Sequence, residues 1–210
     1  MFKKLAAEAL GVSDIGIIVP AHEYNRVDAD DYLFHEDAEH IFFLIKSKKD
    51  EYCFTNLALI HVDGDSAVSS KRMIRRYEYA SQRIGYVALE TAGNLDMDVE
   101  LKFAIGETAF SIDIKKTFLD QIKDIYKALI AIGRQQGRDA AARENAGRAL
   151  DALGSMLKLG NVSGEAAVVA HYDALLAAYN AATLERHLTR DFGAFFQRYI
   201  QNAPPATPQA

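Results

Sequence analysis

The chain has 210 residues, half of them hydrophobic and a quarter charged, which is enough to bury one large core or a smaller domain with an extension. Its formal net charge of -5 argues against a general nucleic-acid binder, and its single cysteine, Cys53, excludes an intramolecular disulfide framework. No run of about 18 apolar residues exists, so no membrane-spanning helix is expected.

The N-terminal stretch Met1-Phe2-Lys3-Lys4-Leu5-Ala6-Ala7-Glu8-Ala9-Leu10-Gly11 has the order of a secretory signal, but Glu8 interrupts its short apolar part. A short amphipathic helix stopped by Gly11 is the better reading. Residues 1–19 are taken as an arm, and cytoplasmic residence is the expectation. His35-Glu36-Asp37-Ala38-Glu39-His40 superficially resembles a zinc-protease motif. Its histidines are five apart rather than four, which would splay them by about 140° on a helix. A solvated acidic turn is expected there, with no metal.

Seven strands are predicted next. Ile41–Lys46 is apolar enough to be buried on both faces. Glu51–Thr55 and Leu57–Val62 follow, with Asn56 as a break, and Cys53 reads as a small buried hydrophobe. Asp63-Gly64-Asp65 signals a turn. Ala67–Tyr77, Ile84–Glu90, Val99–Ile105 and Phe110–Ile114 complete the set, with a tight hairpin at Gly106-Glu107. Short, regularly spaced strands of this kind suggest an antiparallel sandwich or barrel.

The period then changes from two to 3.6. Phe118, Ile122, Ile125, Leu129 and Ile132 lie on one helical face, which predicts a helix that closes an opening in the sheet region. Near Gly133 the composition turns alanine-rich. Residues 1–133 carry net charge -6 and residues 134–210 carry +1. The predicted organisation is an α+β domain over 20–133, an α-helical hairpin over 134–202 and a disordered tail over 203–210.

In that hairpin, Ala142, Ala146, Ala149, Leu153 and Met156 form the seam of a first helix. A second helix runs from Glu165 to Ile200, with the stripe Val168, Tyr172, Leu175, Tyr179 and a restart through Leu188, Phe192 and Phe195 after a register shift at Arg186. A lone hairpin cannot hide apolar surface on both sides, so copies of the chain are expected to pack through these residues.

Phe54-Thr55-Asn56, Leu59-Ile60 with Val62-Asp63, and above all Glu90-Thr91-Ala92-Gly93 through Glu100-Leu101-Lys102 are distinctive. On these residues the chain resembles the bacterial pleckstrin-homology (PH) domain proteins that carry a YvbH-like C-terminal oligomerisation region. The resemblance implies a PH-like seven-stranded fold capped by one helix, a closed ring-like homo-oligomer and a protein-interaction role, and it supplies no catalytic residues. Two departures stand out: Leu57-Ala58 occupies a place where the family has a basic pair, and Arg75-Arg76-Tyr77-Glu78-Tyr79 replaces a Ser-Ile-Pro-Tyr-like stretch.

The remaining motifs yield no chemistry. No G-x-S-x-G or glycine-rich phosphate loop is present. Asp96 and Asp98 read as turn carboxylates rather than a catalytic dyad. No enzyme activity, cofactor or metal is therefore expected. The expected partner surface is the polar turn with Thr91, Asn94, Asp96 and Asp98, joined by Arg75. The alternative is an anionic-lipid site in the basic loop at Lys46, Lys48 and Lys49. The basic run Lys71–Arg76 fits pairing with acidic groups of a neighbouring protomer or a plain exposed strand.

Overall fold

The computed structural model describes residues 14–64, 72–91, 98–156 and 164–200. The expected helix before Gly11, the start of the strand predicted from Ala67, the turn residues Asn94 and Asp96, most of the connection between the last helices and the tail from 203 lie outside the described residues. The chain divides into two compact units. One comprises the residues up to Gly133 together with those from Arg190 onward, and the other is Arg134–Thr189.

The first unit holds two antiparallel sheets. In one, β1 (Ile17–Ile18), β2 (Ile41–Lys46), β3 (Glu51–Thr55), β4 (Ala58–Gly64) and β5 (Arg72–Glu78) lie side by side in chain order. In the other, β6 (Ile84–Thr91), β7 (Asp98–Ile105) and β8 (Thr108–Lys115) form a meander. Alternation does what the period of two dictates: Val99, Leu101, Phe103 and Ile105 of β7 and Phe110, Ile112 and Ile114 of β8 face the core while their neighbours face out. The β7–β8 turn passes through Gly106 at φ +57°, a conformation glycine adopts without steric cost.

The sheets meet through the N-terminal arm. Gly16 bridges in parallel to Ile114, donates its amide to the Asp113 carbonyl at 2.7 Å, and accepts from the Lys115 amide at 3.0 Å. A side chain at Gly16 would meet Ile45 Cγ2 at 2.8 Å, so the seam needs glycine. On the opposite side β5 and β6 are the outer strands of their sheets, and the fold is a two-sheet sandwich rather than a closed barrel.

β2 is buried on both faces because the first sheet is covered twice. A bulge between Ile41 and Phe43 sets its register. Phe43 and Ile45 join the main core, whereas Ile41 and Leu44 enter a smaller core with Cys53, Ile60 and Val62. That second core is closed by Val19 and by Ala29 with its neighbours Val27 and Leu33, which lie in or flank the second of three short 3-10 turns between Ala21 and Asp37. Burial pushes the Cys53 thiol pKa up, consistent with a packing role.

The helix α1 (Leu119–Met156) is one continuous element of 38 residues, where the sequence reading placed two. Its first turns close the sandwich with Ile122, Ile125, Leu129 and Ile132, all fully buried. A Cβ at Gly133 would lie 2.7 Å from the Ile84 carbonyl oxygen, so this helix approaches a strand backbone that cannot yield. Gly133→Val is therefore expected to cost about 2 kcal/mol of unfolding free energy in a urea titration, despite glycine's poor helix propensity. An unchanged midpoint would show that the contact can relax.

The second predicted helix is also divided differently. The helix α2 (Glu165–Asn180) passes into a π-helical turn at Ala181–Arg186, an irregular stretch follows, and a short helix α3 (Gly193–Tyr199) ends the described chain. The register shift at Arg186 was the sequence signal of this break. Leu188 lies in the irregular stretch and is half-buried. Phe192 is buried in the main core of the first unit and Phe195 packs against it, so these two positions do not belong to the hairpin's exposed face.

Within the second unit, α1 and α2 run antiparallel. Asp139 accepts from the Thr189 amide at 2.9 Å, Arg143 donates to the His187 carbonyl at 2.9 Å, and Gly147 lies near the Tyr179 ring, so rising numbers on α1 meet falling numbers beyond it.

Candidate functional site

The segment Glu90–Lys102 that singles out the sequence spans the end of β6 and the start of β7. Thr91 is exposed and pairs across the strands with Val99, while Asp98 sits opposite Lys115 on β8. Asn94 and Asp96 lie outside the described residues. Next to this turn, a polar ladder runs across the outer face of the sheet. Lys102 Nζ is 2.9 Å from both Glu90 and Glu100, and Ser111 donates to Glu100. The bonds to Glu90 and then Glu100 raise the Lys102 pKa, and the Ser111 and Lys102 bonds lower that of Glu100. Burial, with the nearby charges of Glu100 and Asp98, raises the pKa of Asp113. These carboxylates serve an exposed strand ladder and are not gathered around a cleft.

Arg75 belongs to the first sheet. It donates to Asp63 at 2.8 Å across the β4–β5 pair, a bond that raises its pKa, whereas Thr91 and Asp98 belong to the second sheet. Its neighbours on β5 are engaged as well. Arg72 reaches Asp28 at 3.4 Å, and Arg76 binds Glu39 and Glu78. The three arginines of the basic run thus find acidic partners within their own chain.

In the β2–β3 loop, Lys46 is ion-paired with the buried Glu51, whose other oxygen accepts from the Ala29 amide at 2.9 Å. Lys46 is therefore a structural cation, and Lys48 and Lys49 are the exposed lysines of that loop. Asp50 faces His61 at 3.2 Å, and the His61 ring stacks on Tyr52. The Tyr52 hydroxyl pKa is raised by burial and by Asp50 and Asp63. The two exposed lysines of this loop are thus followed at once by Asp50 and Glu51.

The second unit presents a different surface. Leu150, Gly154, Tyr172, Leu175, Leu176 and Tyr179 line an open groove of about 610 Å³ between α1 and α2. Leu153, Met156, Val168 and Tyr172 are 46, 79, 45 and 63% exposed, an unusual load of apolar side chains in water. Of the positions expected to mediate packing between copies, Ala142 and Ala146 are half-buried, Ala149 is exposed, Leu175 is half-buried and Tyr179 is exposed.

What the sequence reading missed is a clasp within the first unit. Asn56 accepts from the His40 amide at 3.0 Å, donates to Asp191 Oδ2 at 2.8 Å, and offers its carbonyl to the Phe192 amide at 2.8 Å. Asp191 also accepts from the Gly193 amide at 2.7 Å, a local Asx-type bond at the entry to α3. Phe192 and Phe196 then pack against Tyr79 and Phe42, and Gly193 lets the backbone lie on the Phe42 ring. The Phe-Thr-Asn motif was visible, but its partner lies 135 residues away.

A two-sheet sandwich closed by a helix, with polar groups committed to strand ladders and clasps, defines a binding module of the PH type. Residues 9–132 match the bacterial PH domain family, and the chain belongs to it. It is 44% identical over 205 residues to the uncharacterized protein YvbH of Bacillus subtilis (strain 168), covering 96% of this chain and all of that one. The crystal structure of a PH-domain-containing bacterial protein from Exiguobacterium sibiricum 255-15 superposes with a TM-score of 0.81 at 39% identity, over 89% of this chain and all of the other. The PH fold is that of a protein-interaction or lipid-binding module.

Proposed function

We propose that this protein is a non-enzymatic PH-like module that assembles with copies of itself into a ring and offers the turn around Thr91 and Asp98 to a protein partner. The observation that carries the assembly is the apolar face of Arg134–Thr189, where Leu153, Met156, Val168 and Tyr172 are left in water. Packing a second copy over that face removes the exposed area from solvent, at roughly 25 cal/mol per Å² of apolar surface. A ring would also multiply weak partner contacts through avidity.

Light scattering on the purified chain tests this reading. A discrete oligomer is expected at micromolar concentration, and the double variant Leu153→Glu/Tyr172→Glu is expected to dissociate it while the circular dichroism of the strands persists. A wild-type monomer would defeat the proposal. The competing reading, anionic lipid bound at the β2–β3 loop, rests on Lys48 and Lys49 alone once Lys46 is engaged by Glu51. Phosphate recognition draws on several converging cations with arginine among them, so this is the weaker reading.

A further inference from the structure

We infer that the 28–37 segment of the first unit is a docking surface for an arginine-bearing segment of a partner protein, a surface separate from the Thr91–Asp98 turn and from the helical face used for self-assembly. Ala29 and Leu33 of this segment, with Val27 just before it, fill the second core, so its packing task is complete without Tyr32 and Phe34. Those two aromatics are nevertheless 44 and 48% exposed on a backbone that is firmly held. Glu51 fixes the Ala29 amide, Glu39 fixes the Phe34 amide at 2.8 Å, and the Phe34 carbonyl takes the amides of Asp37 and Glu39. Rigid exposed aromatics lose little entropy on binding and are the residue type on which interfaces concentrate their energy.

The chemistry of the occupant follows from charge and from a contact already present. Residues 28–37 contain five carboxylates and no lysine or arginine. Asp28 pairs loosely with Arg72, and Asp31, Glu36 and Asp37 have no lysine or arginine within ion-pairing distance among the described residues. The Arg76 guanidinium lies 4.4 Å from the centre of the Phe34 ring, showing that this ring seats a guanidinium in the chain's own structure. Arginine fits better than lysine because its planar group can stack on a ring and bridge a carboxylate in the same pose.

The test uses the full chain and a short unstructured fluorescent peptide alternating arginine with serine, beside versions carrying lysine or glutamate instead. Fluorescence anisotropy is expected to show the arginine peptide binding more tightly than the lysine one, with no binding of the glutamate one. The double variant Tyr32→Ser/Phe34→Ser keeps every charge and is expected to weaken the arginine peptide about tenfold, with the circular dichroism of the strands and the scattering mass unchanged. Asp31→Asn/Asp37→Asn, at exposed positions, is expected to weaken it with the aromatics intact. Equal affinity for arginine and lysine peptides together with an unaffected aromatic variant would reduce the effect to net charge and overturn the inference. Absence of arginine-peptide binding at low salt would overturn it too. A change of oligomeric mass in the aromatic variant would make the patch a contact between copies, which also overturns it.

Discussion

Glu39→Ala is expected to lower the unfolding free energy by about 3–5 kcal/mol, the cost of removing one partner from a buried ionic network. The Glu39 side chain is fully buried, with one oxygen accepting from Thr55 Oγ1 at 2.5 Å and the other from Arg76 Nη1 at 2.9 Å and the Phe34 amide at 2.8 Å. Its loss leaves the Phe34 amide without its carboxylate and removes one partner each from Thr55, which keeps the Ala58 carbonyl, and from Arg76, which keeps Glu78. The same carboxylate joins the covering segment, β3 and β5, so its removal should also loosen residues 28–38. Chemical denaturation measures the first effect and amide exchange near Phe34 the second. Glu39→Gln keeps the shape and one acceptor, and it should fall between the wild type and the alanine variant. A loss of less than about 1 kcal/mol in the alanine variant would mean that water replaces the carboxylate without penalty.

Phe192→Ala is expected to cost about 3–5 kcal/mol, and Phe196→Ala a similar amount, because both side chains are buried against rigid rings. Part of that loss should appear as local release of residues 190–200 rather than as global unfolding. Hydrogen exchange separates the two: the amides of α3 should lose protection while those of β7 keep theirs. Asp191→Ala removes the bond to Asn56 and the local bond to the Gly193 amide, and its expected cost is smaller, about 1–2 kcal/mol. Unaltered α3 protection in Phe192→Ala would show that the clasp is held by its hydrogen bonds alone.

Strand residues were legible because their neighbours in sequence are their structural context. β2, β3 and β6–β8 fall where alternation and turn chemistry placed them, and the stripe Ile122 to Ile132 closes the sandwich as its spacing predicted. Lys46 and Arg75 were less legible. Each looked like an available cation, and each is committed to a carboxylate presented by the folded sheets, Glu51 and Asp63. The short 3-10 turns between Ala21 and Asp37 left no periodic trace, although they close a second core. Phe192 and Phe195 continued a helical stripe in the sequence, and the register shift at Arg186 was the signal that the helix is broken before them.

The sequence by itself determined the antiparallel strand-rich class, the capping helix and the family, because hydrophobic period and turn residues are local properties that act within one element. Tertiary structure decided that the sandwich stays open between β5 and β6, that the 21–37 segment covers a second face, and that residues 190–200 return to Asn56. Those outcomes depend on which distant groups can satisfy a buried carboxylate or amide. Such pairings are set by three-dimensional proximity, which spacing along the chain does not encode.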